Sequence, residues 1–337
     1  MFNVGEEGLW PIDGASRSQP AAAAMHDRNV EIRLTRRPDM TDRVRFLTWN
    51  FNVFTRARDD LKVELIERLQ PDVAALQEVS RTTANRIRDR LPEWQLFAGI
   101  EDSPWEGLGA NGAAILTSPA VDVVKARAVE PEGWQHIGGD ETAVPERQWT
   151  VHASVIVDGQ RLEVVSAHPP NAAGSGEEHE RRVVRKVRTY AALEHLVSGH
   201  DPLVIGMDAN AWIDSEFPPY GPPVIADGPQ RPIMDFLVTG TERHGLRDAY
   251  RDWLWRDPSR LAAVRARRPS GPLATTYVRG GNHPVPDRFD VVMVSPSLHV
   301  HDVEHGYEDS LACGSDHGYV FAELGLEERD ARDGFQS

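Results

Sequence analysis

The chain has 337 residues, more than most single domains, and its apolar fraction of 40% is enough to bury a large core. Its 52 acidic and 37 basic residues give a formal net charge of −15, which argues against a uniformly basic surface for nucleic acid. The single cysteine excludes an intrachain disulfide framework, and no apolar run reaches the length of a transmembrane helix.

The N-terminal region has neither a periodic pattern nor the features of a signal peptide. Residues 1–42 mix Gly, Ser and Pro with a short Ala run, and we predict a disordered arm there. One ordered domain is predicted for residues 43–325, and a flexible tail for residues 326–337. Because a signal peptide and paired cysteines are both missing, we predict a cytoplasmic protein.

The ordered region begins with a strand, a helix and a second strand. Residues 44–49 (VRFLTW) and residues 72–79 (DVAALQEV) are apolar runs that predict buried strands. Residues 59–70 between them predict a helix, which a proline ends. The apolar face of this helix is predicted to consist of Leu61, Leu65 and Leu69. The order of the three elements is typical of an α/β fold with a covered sheet.

The middle of the chain predicts a β-hairpin, a helix and another strand. Residues 149–157 and 160–168 are strand-like and flank an Asp-Gly turn at 158–159, where glycine accepts a positive φ. Residues 177–198 predict a helix, and residues 202–208 (PLVIGMD) predict a buried strand.

The last third of the chain alternates between irregular and apolar segments. Residues 213–235 are rich in Pro and Gly and predict a long loop, and residues 256–272 predict a second, basic insertion. Residues 288–295 and 318–324 predict two late strands. Because we find neither an internal repeat nor a clean linker, one large α/β domain is preferred over two domains.

Polar residues stand at the points where these predicted strands begin or end. They are Asn50, Glu78, His168, Asp208, Asn210, Asp316 and His317. Each alone has an ordinary explanation, such as a helix cap for Asn50 or a turn for Asp208 and Asn210. In layered α/β proteins, however, ligands bind where strands end, so the repetition predicts a functional site.

Six short motifs occur in a fixed order along the chain. They are Trp49-Asn50, Gln77-Glu78, Ser166-Ala167-His168, Asp208-Ala209-Asn210, Arg288-Phe289-Asp290 and Ser315-Asp316-His317. This ordered set resembles the endonuclease/exonuclease/phosphatase superfamily, in its two-histidine, deoxyribonuclease-like branch. The resemblance implies a four-layer α/β sandwich, in which helices flank two packed mixed β-sheets. It also implies a metal-dependent phosphoric ester hydrolase.

The resemblance implies a role for each matched residue on the metal and water side. Glu78, Asn50 and Asp316 would hold Mg²⁺, with Mn²⁺ as the alternative, because these cations prefer hard oxygen ligands. Asp208 would position or deprotonate the attacking water, and Asn210 would bind a phosphate oxygen.

The two histidines are implied to face the phosphate. His317 would contact the scissile phosphate, oriented by Asp290, and His168 matches the second histidine of the deoxyribonuclease-like and sphingomyelinase-like members. Abasic-site endonucleases usually lack that histidine, which argues against a dedicated enzyme of this kind. A zinc site of both histidines with Asp208 and Asp316 is a less favoured alternative.

Three further residues are predicted on the substrate side. Arg147 resembles a family arginine that approaches the phosphate, although a solvated loop arginine is an equal alternative, and Asn171 follows His168 closely. Asn52 stands where some members have an acidic ligand for a second metal. Tyr277 falls where many members place an aromatic residue on the substrate, but we interpret it as a core tyrosine of a strand.

Taken together, these residues predict a Mg²⁺-dependent phosphodiester hydrolase in which Asp208 activates water for in-line attack. We favour a nuclease acting on DNA or RNA. The alternative is a phosphatase or phosphodiesterase acting on a lipid, an inositol phosphate or a small nucleotide, which the acidic balance supports. A non-catalytic binding module is disfavoured because all the carboxylates and histidines are present. The sequence leaves protein partners open.

Overall fold

The computed structural model describes residues 43–103, 106–107, 110–129, 146–172, 175–211, 231–239, 241–279 and 284–326, all within the unit Arg36–Ser337. The predicted arm at residues 1–42, and all but the first residue of the predicted tail, lie outside these ranges. The predicted domain bounds and the cytoplasmic location therefore stay predictions.

The strands of the described ranges are, in chain order, β1 (Arg43–Asn50), β2 (Val73–Val79), β3 (Gln95–Ala98), β4 (Gly112–Thr117), β5 (Val121–Ala128), β6 (Thr150–Val157), β7 (Gln160–Ala167), β8 (Leu203–Asp208), β9 (Arg247–Asp248), β10 (Tyr277–Arg279), β11 (Val285–Asp287), β12 (Asp290–Val294), β13 (Leu298–Gly306) and β14 (Tyr319–Leu326).

The α-helices are α1 (Asp59–Leu69), α2 (Arg81–Arg90), α3 (Gly176–Val197), α4 (Arg231–Met234), α5 (Thr241–His244), α6 (Ala249–Trp255), α7 (Pro258–Arg267) and α8 (Tyr307–Ala312). Short 3₁₀ turns occur at Val53–Arg58, Gly99–Asp102 and Glu146–Trp149, and a π-helical turn at Asp235–Thr239. None of the described helices combines the length and the apolar character that a membrane crossing requires.

Two six-stranded mixed sheets dominate the fold. The first has the order β13-β14-β1-β2-β4-β3, the second has the order β5-β6-β7-β8-β12-β9, and β10 pairs with β11 alone. Each large sheet contains one parallel pair, β1 with β2 and β7 with β8, while its other neighbours are antiparallel. The predicted hairpin is present, since β6 and β7 pair in register around the Asp-Gly turn.

Three clusters of core residues join the four layers of the fold, which are two sheets and the helices on their outer faces. One cluster lies between the two sheets and takes side chains from both, including Phe46 and Val292. A second cluster packs α1 and α2 on the outer face of the first sheet, and a third packs α3 on the outer face of the second. Strands buried on both faces read as continuous apolar runs, which explains the sequence pattern of β1, β2 and β8. The predicted four-layer sandwich is confirmed.

The two sheets pack closely against each other at Gly206 of β8. A Cβ atom at this position would lie 2.6 Å from Cβ of Ala75 in β2 and 2.7 Å from Cβ of Thr48 in β1. Real Cβ atoms do not come this close, so glycine is required if the sheets are to keep their separation. This contact lies two residues before Asp208, at the end of the same strand.

Two predictions about helices are corrected. Leu61 is 43% exposed, because the buried face of α1 consists of Lys62, Val63, Leu65, Ile66 and Leu69. The predicted loop at 213–235 is helical from Arg231 onward, and Ile233, Met234, Phe236 and Leu237 are buried beside α3. The spacing of these apolar residues favours a helix more strongly than the Pro and Gly content favours a loop. Residues 213–230 of the predicted loop lie outside the described ranges.

The predicted basic insertion at 256–272 contains the ordered helix α7. Asp257 caps it, since its Oδ1 accepts hydrogen bonds from the backbone N of Ser259 at 2.9 Å and of Arg260 at 3.4 Å. Arg256 pairs with Asp252 at 2.8 Å, and Arg260 pairs with Asp257 at 3.3 Å. Part of the positive charge of this segment is therefore neutralised locally.

Candidate active site

The sheet topology explains why residues far apart in sequence meet. The carboxyl ends of the parallel pairs β1/β2 and β7/β8 lie at the same edge of the sandwich, where β12 and β14 begin. Asp290, the first residue of β12, pairs in register with Asp208, the last residue of β8. The structure brings together Asn50, Glu78, His168, Asp208, Asn210, Asp290, Asp316 and His317.

The carboxylate of Asp208 is the centre of this group, and it is almost fully buried. Its Oδ1 accepts a hydrogen bond from the backbone N of Asn210 at 2.8 Å, and its Oδ2 accepts one from Nδ2 of Asn50 at 2.9 Å. Nε2 of His168 lies 3.3 Å from the same Oδ2, and Nε2 of His317 lies 3.8 Å from it. Two imidazole rings from different sheets therefore converge on one carboxylate oxygen.

His317 is held in place from several sides. Its Nδ1 donates to Oδ2 of Asp290 at 2.9 Å, and its carbonyl accepts a hydrogen bond from Nε1 of Trp49 at 3.1 Å. The position of Asp290 is fixed in turn by Thr276, whose Oγ1 accepts hydrogen bonds from the backbone N of Phe289 at 2.9 Å and of Asp290 at 3.0 Å. The ring of His317 thus has only Nε2 available to a substrate.

The electrostatics of the group favour charged histidines beside an ionised Asp208. Burial alone lowers the pKa of His317, but the carboxylates of Asp290 and Asp208 outweigh burial and raise it to about 10. Burial also lowers the pKa of His168, but the hydrogen bond and the charge of Asp208 outweigh burial and raise it overall. Burial raises the pKa of Asp290, whereas the two histidines lower the pKa of Asp208. Nε2 of His317 is therefore a hydrogen-bond donor at neutral pH, and the pKa of His168 is shifted in the same direction.

Glu78 and Asp316 both accept hydrogen bonds from the turn formed by residues 50–53. Oε2 of Glu78 accepts a hydrogen bond from the backbone N of Val53 at 2.8 Å, and its Oε1 lies 3.4 Å from Nδ2 of Asn50. Nδ2 of Asn52 donates to Oδ1 of Asp316 at 2.8 Å. The amide nitrogen of Asn50 also connects Glu78 to Asp208, since it lies within hydrogen-bond distance of both carboxylates.

The backbone of the site is strained. Five residues other than glycine have positive φ in the described part of the chain, and three of them are Asn52 (φ 51°), Glu78 (φ 56°) and Asn210 (φ 48°). Asparagine tolerates this left-handed region, whereas glutamate rarely adopts it. Such strain persists where the surroundings over-determine it, and it is typical of functional sites.

The carboxylates of Glu78, Asp208 and Asp316 form an incompletely neutralised group. Within the described ranges no lysine or arginine makes an ion pair with any of them. The Asn50 amide nitrogen lies between Glu78 and Asp208, in the position that a cation between two carboxylates would take. Hard carboxylate and amide oxygens in this arrangement fit a divalent cation such as Mg²⁺ or Mn²⁺.

A second set of ligand atoms is geometrically possible. One ligand atom each from Asp208, Asp290 and His317 lies within 4.8 Å of the others. The 2.9 Å hydrogen bond from Nδ1 of His317 to Asp290 explains this proximity without a metal. Because its Nδ1 donates to Asp290, His317 could bind a metal only through Nε2, and the zinc site considered from the sequence stays the alternative to the magnesium site.

The predicted substrate-side residues are placed unevenly. Asn171 is exposed in the loop after β7, Asn52 contacts Asp316, and the side chain of Arg147 lies outside the described part of the structure. The interpretation of Tyr277 as a core residue is wrong. Its strand pairs with β11 and makes one β-bridge to His317, and its half-buried ring stacks on that of Phe289, 4.9 Å away, and lies 4.8 Å from the ring of His317.

Sequence reasoning missed three residues that support the site. Thr276 holds Asp290, and the ring of Trp149 lies 5.2 Å from that of His168. Lys62 lies beneath the Asn50–Asn52 turn and is completely buried. A detectable signal existed only for Lys62, since a lysine within the apolar face of an amphipathic helix is unusual.

The fold and the grouping of carboxylates, amides and imidazoles at one sheet edge define a phosphoester hydrolase. The model of the Endonuclease/Exonuclease/phosphatase family matches residues 47–317, and the chain belongs to that family. A search of curated proteins finds no match to this chain.

Solved structures share the fold at low sequence identity. TDP2 from D. rerio, complexed with single strand DNA product, is 14% identical with a TM-score of 0.55, covering 84% of this chain and 99% of that one. The human Nocturnin catalytic domain with bound sulfate is 17% identical with a TM-score of 0.54, covering 86% and 96%. An AP endonuclease from Archaeoglobus fulgidus is 17% identical with a TM-score of 0.54, covering 83% and 98%. These likenesses show the fold alone.

Proposed function

We propose that the protein is a Mg²⁺-dependent phosphodiester hydrolase that acts on DNA or RNA. The observation that carries the proposal is the convergence of two imidazole Nε2 atoms, 3.3 and 3.8 Å away, on Oδ2 of Asp208. Two cationic donors and an ionised carboxylate in one buried group match a phosphate anion and an attacking water.

A divalent cation fits the oxygen ligands beside the Asn50–Asn52 turn. Glu78, Asp316 and Asn50 would hold it, with Mn²⁺ as the alternative to Mg²⁺. When bound, the cation would draw negative charge from the non-bridging oxygens of the phosphate. Oδ1 of Asn50, which accepts a hydrogen bond from the backbone N of Asn52 at 2.9 Å, would be the amide ligand.

The reaction would proceed through the chain's own groups as follows. Asp208, ionised because its pKa is lowered by the two histidines, would accept a hydrogen bond from water and orient it in line with the scissile bond. As the new P–O bond forms and the old one breaks, Asp208 takes a proton from the water. His168 or His317 gives a proton to the leaving oxygen, and Asp208 returns its proton to that ring.

The remaining residues would position the substrate. Asn210, in its left-handed conformation, would bind a phosphate oxygen once its side chain leaves the carbonyl of Pro169, to which it donates at 3.0 Å. Asp290 would keep the His317 ring oriented. Asn52, Asn171 and Arg147 are proposed as outer substrate contacts.

Two features bear on the substrate class, and they support different candidates. Similarity to a TDP2 structure that contains single strand DNA product supports a nucleic acid. The formal charge of −15 supports the second candidate, a phosphatase or phosphodiesterase acting on a lipid, an inositol phosphate or a small nucleotide, because such a substrate needs no extended basic surface.

A substrate panel tests the proposal. Purified protein with Mg²⁺ would be assayed on plasmid DNA, single-stranded RNA, abasic DNA, sphingomyelin, inositol phosphates and bis(p-nitrophenyl) phosphate at two salt concentrations. Cleavage of nucleic acid that falls steeply with salt supports the nuclease, and salt-insensitive hydrolysis of a small substrate supports the second candidate. No hydrolysis of any substrate contradicts the proposal.

A further inference from the structure

Phe54 has an unusual position beside the candidate metal ligands. Its side chain is 84% exposed, whereas the other exposed large apolar side chains in the described part of the chain reach at most 56%. It belongs to the 3₁₀ turn Val53–Arg58, directly after the Asn50–Asn52 turn. A phenylalanine with this much exposure gains nothing from burial within the chain, and its ring is accessible to a ligand.

The turn that presents Phe54 is fixed rather than loose. The backbone N of Phe54 donates to Oδ1 of Asn52 at 3.0 Å, and Nδ2 of Asn52 donates to Oδ1 of Asp316 at 2.8 Å. Beneath it, the buried Nζ of Lys62 donates to the carbonyl of Phe51 and to Oγ1 of Thr55 at 3.0 Å. The backbone that carries Phe54 is therefore held by the same Asn52 side chain that contacts Asp316, and this preorganised support lowers the cost of ordering the turn on binding.

An exposed arginine, Arg58, ends the same 3₁₀ turn four residues after Phe54. The stem of Arg58 packs against Gly314, where a Cβ atom would lie 2.4 Å from Cδ of Arg58. Gly314 is two residues before Asp316, so this arginine borders the same side of the site. Its side chain is exposed, and within the described ranges the guanidinium makes no hydrogen bond or ion pair.

We propose that Phe54 stacks on an unpaired nucleobase of a single-stranded substrate next to the scissile phosphate, while Arg58 contacts a neighbouring phosphate. An exposed aromatic ring with an adjacent cation is the combination that binds single strands without sequence preference, because every base has a π-face. Bases in a duplex are already stacked and offer no free face to the ring. The inference rests on the proposed phosphodiesterase function and specifies its substrate.

The test compares Phe54→Ala with the wild type on one oligonucleotide. The substrate is a single strand with one phosphodiester, all other linkages being hydrolysis-resistant phosphorothioates, and a second version carries abasic residues on both sides of that phosphodiester. We expect Phe54→Ala to raise KM about 5- to 100-fold on the first substrate and less than about twofold on the abasic one. Phe54→Trp should retain the wild-type KM.

Binding and control measurements complete the test. The second oligonucleotide measurement uses 2-aminopurine beside the phosphodiester, in EDTA so that no cleavage occurs. The wild type should quench the fluorescence of this base, and Phe54→Ala should not. Trp255→Ala removes a matched exposed aromatic residue, 45% exposed on α6, and should leave KM unchanged. Arg58→Ala should weaken binding to both oligonucleotides alike and reduce the salt dependence of KM.

Three results would overturn the inference. The first is an equal KM increase for Phe54→Ala on the intact and abasic oligonucleotides. The second is hydrolysis of bis(p-nitrophenyl) phosphate by the wild type without cleavage of either oligonucleotide, which leaves the phosphodiesterase proposal standing. The third is loss of binding to phosphatidylcholine/phosphatidylserine vesicles in Phe54→Ala with unchanged oligonucleotide KM, which would assign the ring to a lipid surface. If the wild type hydrolyses nothing, both the inference and the proposed function fail.

Discussion

Lys62 supports the Asn50–Asn52 turn of the site from beneath. Its ammonium is fully buried, makes a 3.1 Å ion pair with Asp59, and lies beneath the carbonyls of Phe51 and Asn52. Burial lowers the pKa of Lys62, and Asp59 opposes that effect. The carboxylate of Asp59 also accepts a hydrogen bond from Oγ1 of Thr83 at 2.8 Å, so the charge is satisfied on both sides.

Replacing Lys62 with methionine should strongly destabilise the protein. The substitution keeps the length of the side chain but leaves Asp59 as an uncompensated buried charge, so we expect the free energy of unfolding to fall by about 3–5 kcal/mol. Chemical denaturation measures this change. The same substitution at the exposed Lys125 is the control and should change the free energy by less than about 0.5 kcal/mol. Equal effects at both positions would show that the buried pair is not important.

Residue-scale prediction from sequence succeeds where a polar residue interrupts a strand. Asn50 and Asp208 stand out because each ends an apolar run, and the structure brings them within 2.9 Å of each other. Lys62 could not be found as easily, because α1 is apolar on more than one side and Leu61 suggested the wrong face. Tyr277 was misplaced because a short aromatic segment fits a core strand as well as an isolated ribbon.

At the scale of elements, the hairpin of β6 and β7 contains a charged group on its outer face. Glu163 accepts a hydrogen bond from His152 Nε2 at 2.8 Å and one from Arg161 Nε at 2.8 Å. Burial tends to raise the pKa of Glu163, but the hydrogen bonds from Arg161 and His152 contribute to lowering it below 4.5 overall. The ionised form is therefore stabilised by folding.

This shift predicts a pH-dependent stability of the hairpin. Because the pKa of Glu163 in the fold is below its ordinary value of 4.5, its contribution is complete above pH 4.5 and is lost as the pH falls through the folded pKa. We expect Glu163→Gln to lose about 1–2 kcal/mol at pH 7 and the difference in Tm from the wild type to narrow below pH 4.5. Thermal unfolding across pH tests this, with the exposed Glu178→Gln as control. A difference in Tm that is constant with pH would contradict the expectation.

The contact between the two sheets makes a second prediction at this scale. Gly206→Ala would place a Cβ atom 2.6 Å from Cβ of Ala75, and we expect about 1–3 kcal/mol of destabilisation from overpacking. Adding Ala75→Gly should recover part of the loss, because it removes one of the three atoms that would lie within 2.8 Å of the new Cβ. Urea denaturation of the single and double variants measures the coupling. Additive losses would mean that the sheets adjust freely at this point.

For the whole molecule, the order of strands and helices is readable from sequence, but the pairing of strands is not. Periodicity predicts β1, β2 and β8, whose apolar runs are continuous. It does not mark β4, which is rich in small residues, or β5, where a register shift between Val123 and Lys125 breaks the alternation. The four-layer arrangement came from the ordered motifs, because sheet pairing between distant segments leaves no local signature.

The central claim is that this edge of the sandwich carries out metal-dependent phosphodiester hydrolysis. The most direct test is kcat/KM for bis(p-nitrophenyl) phosphate as a function of Mg²⁺ in the wild type, Asp208→Asn and Glu78→Gln, with the exposed His195→Ala as control. We predict saturable Mg²⁺ dependence, loss of activity in EDTA, and a fall of at least about 10²-fold in both site variants but not in the control. Wild-type turnover in EDTA, or unchanged kcat/KM in Asp208→Asn, would contradict the account.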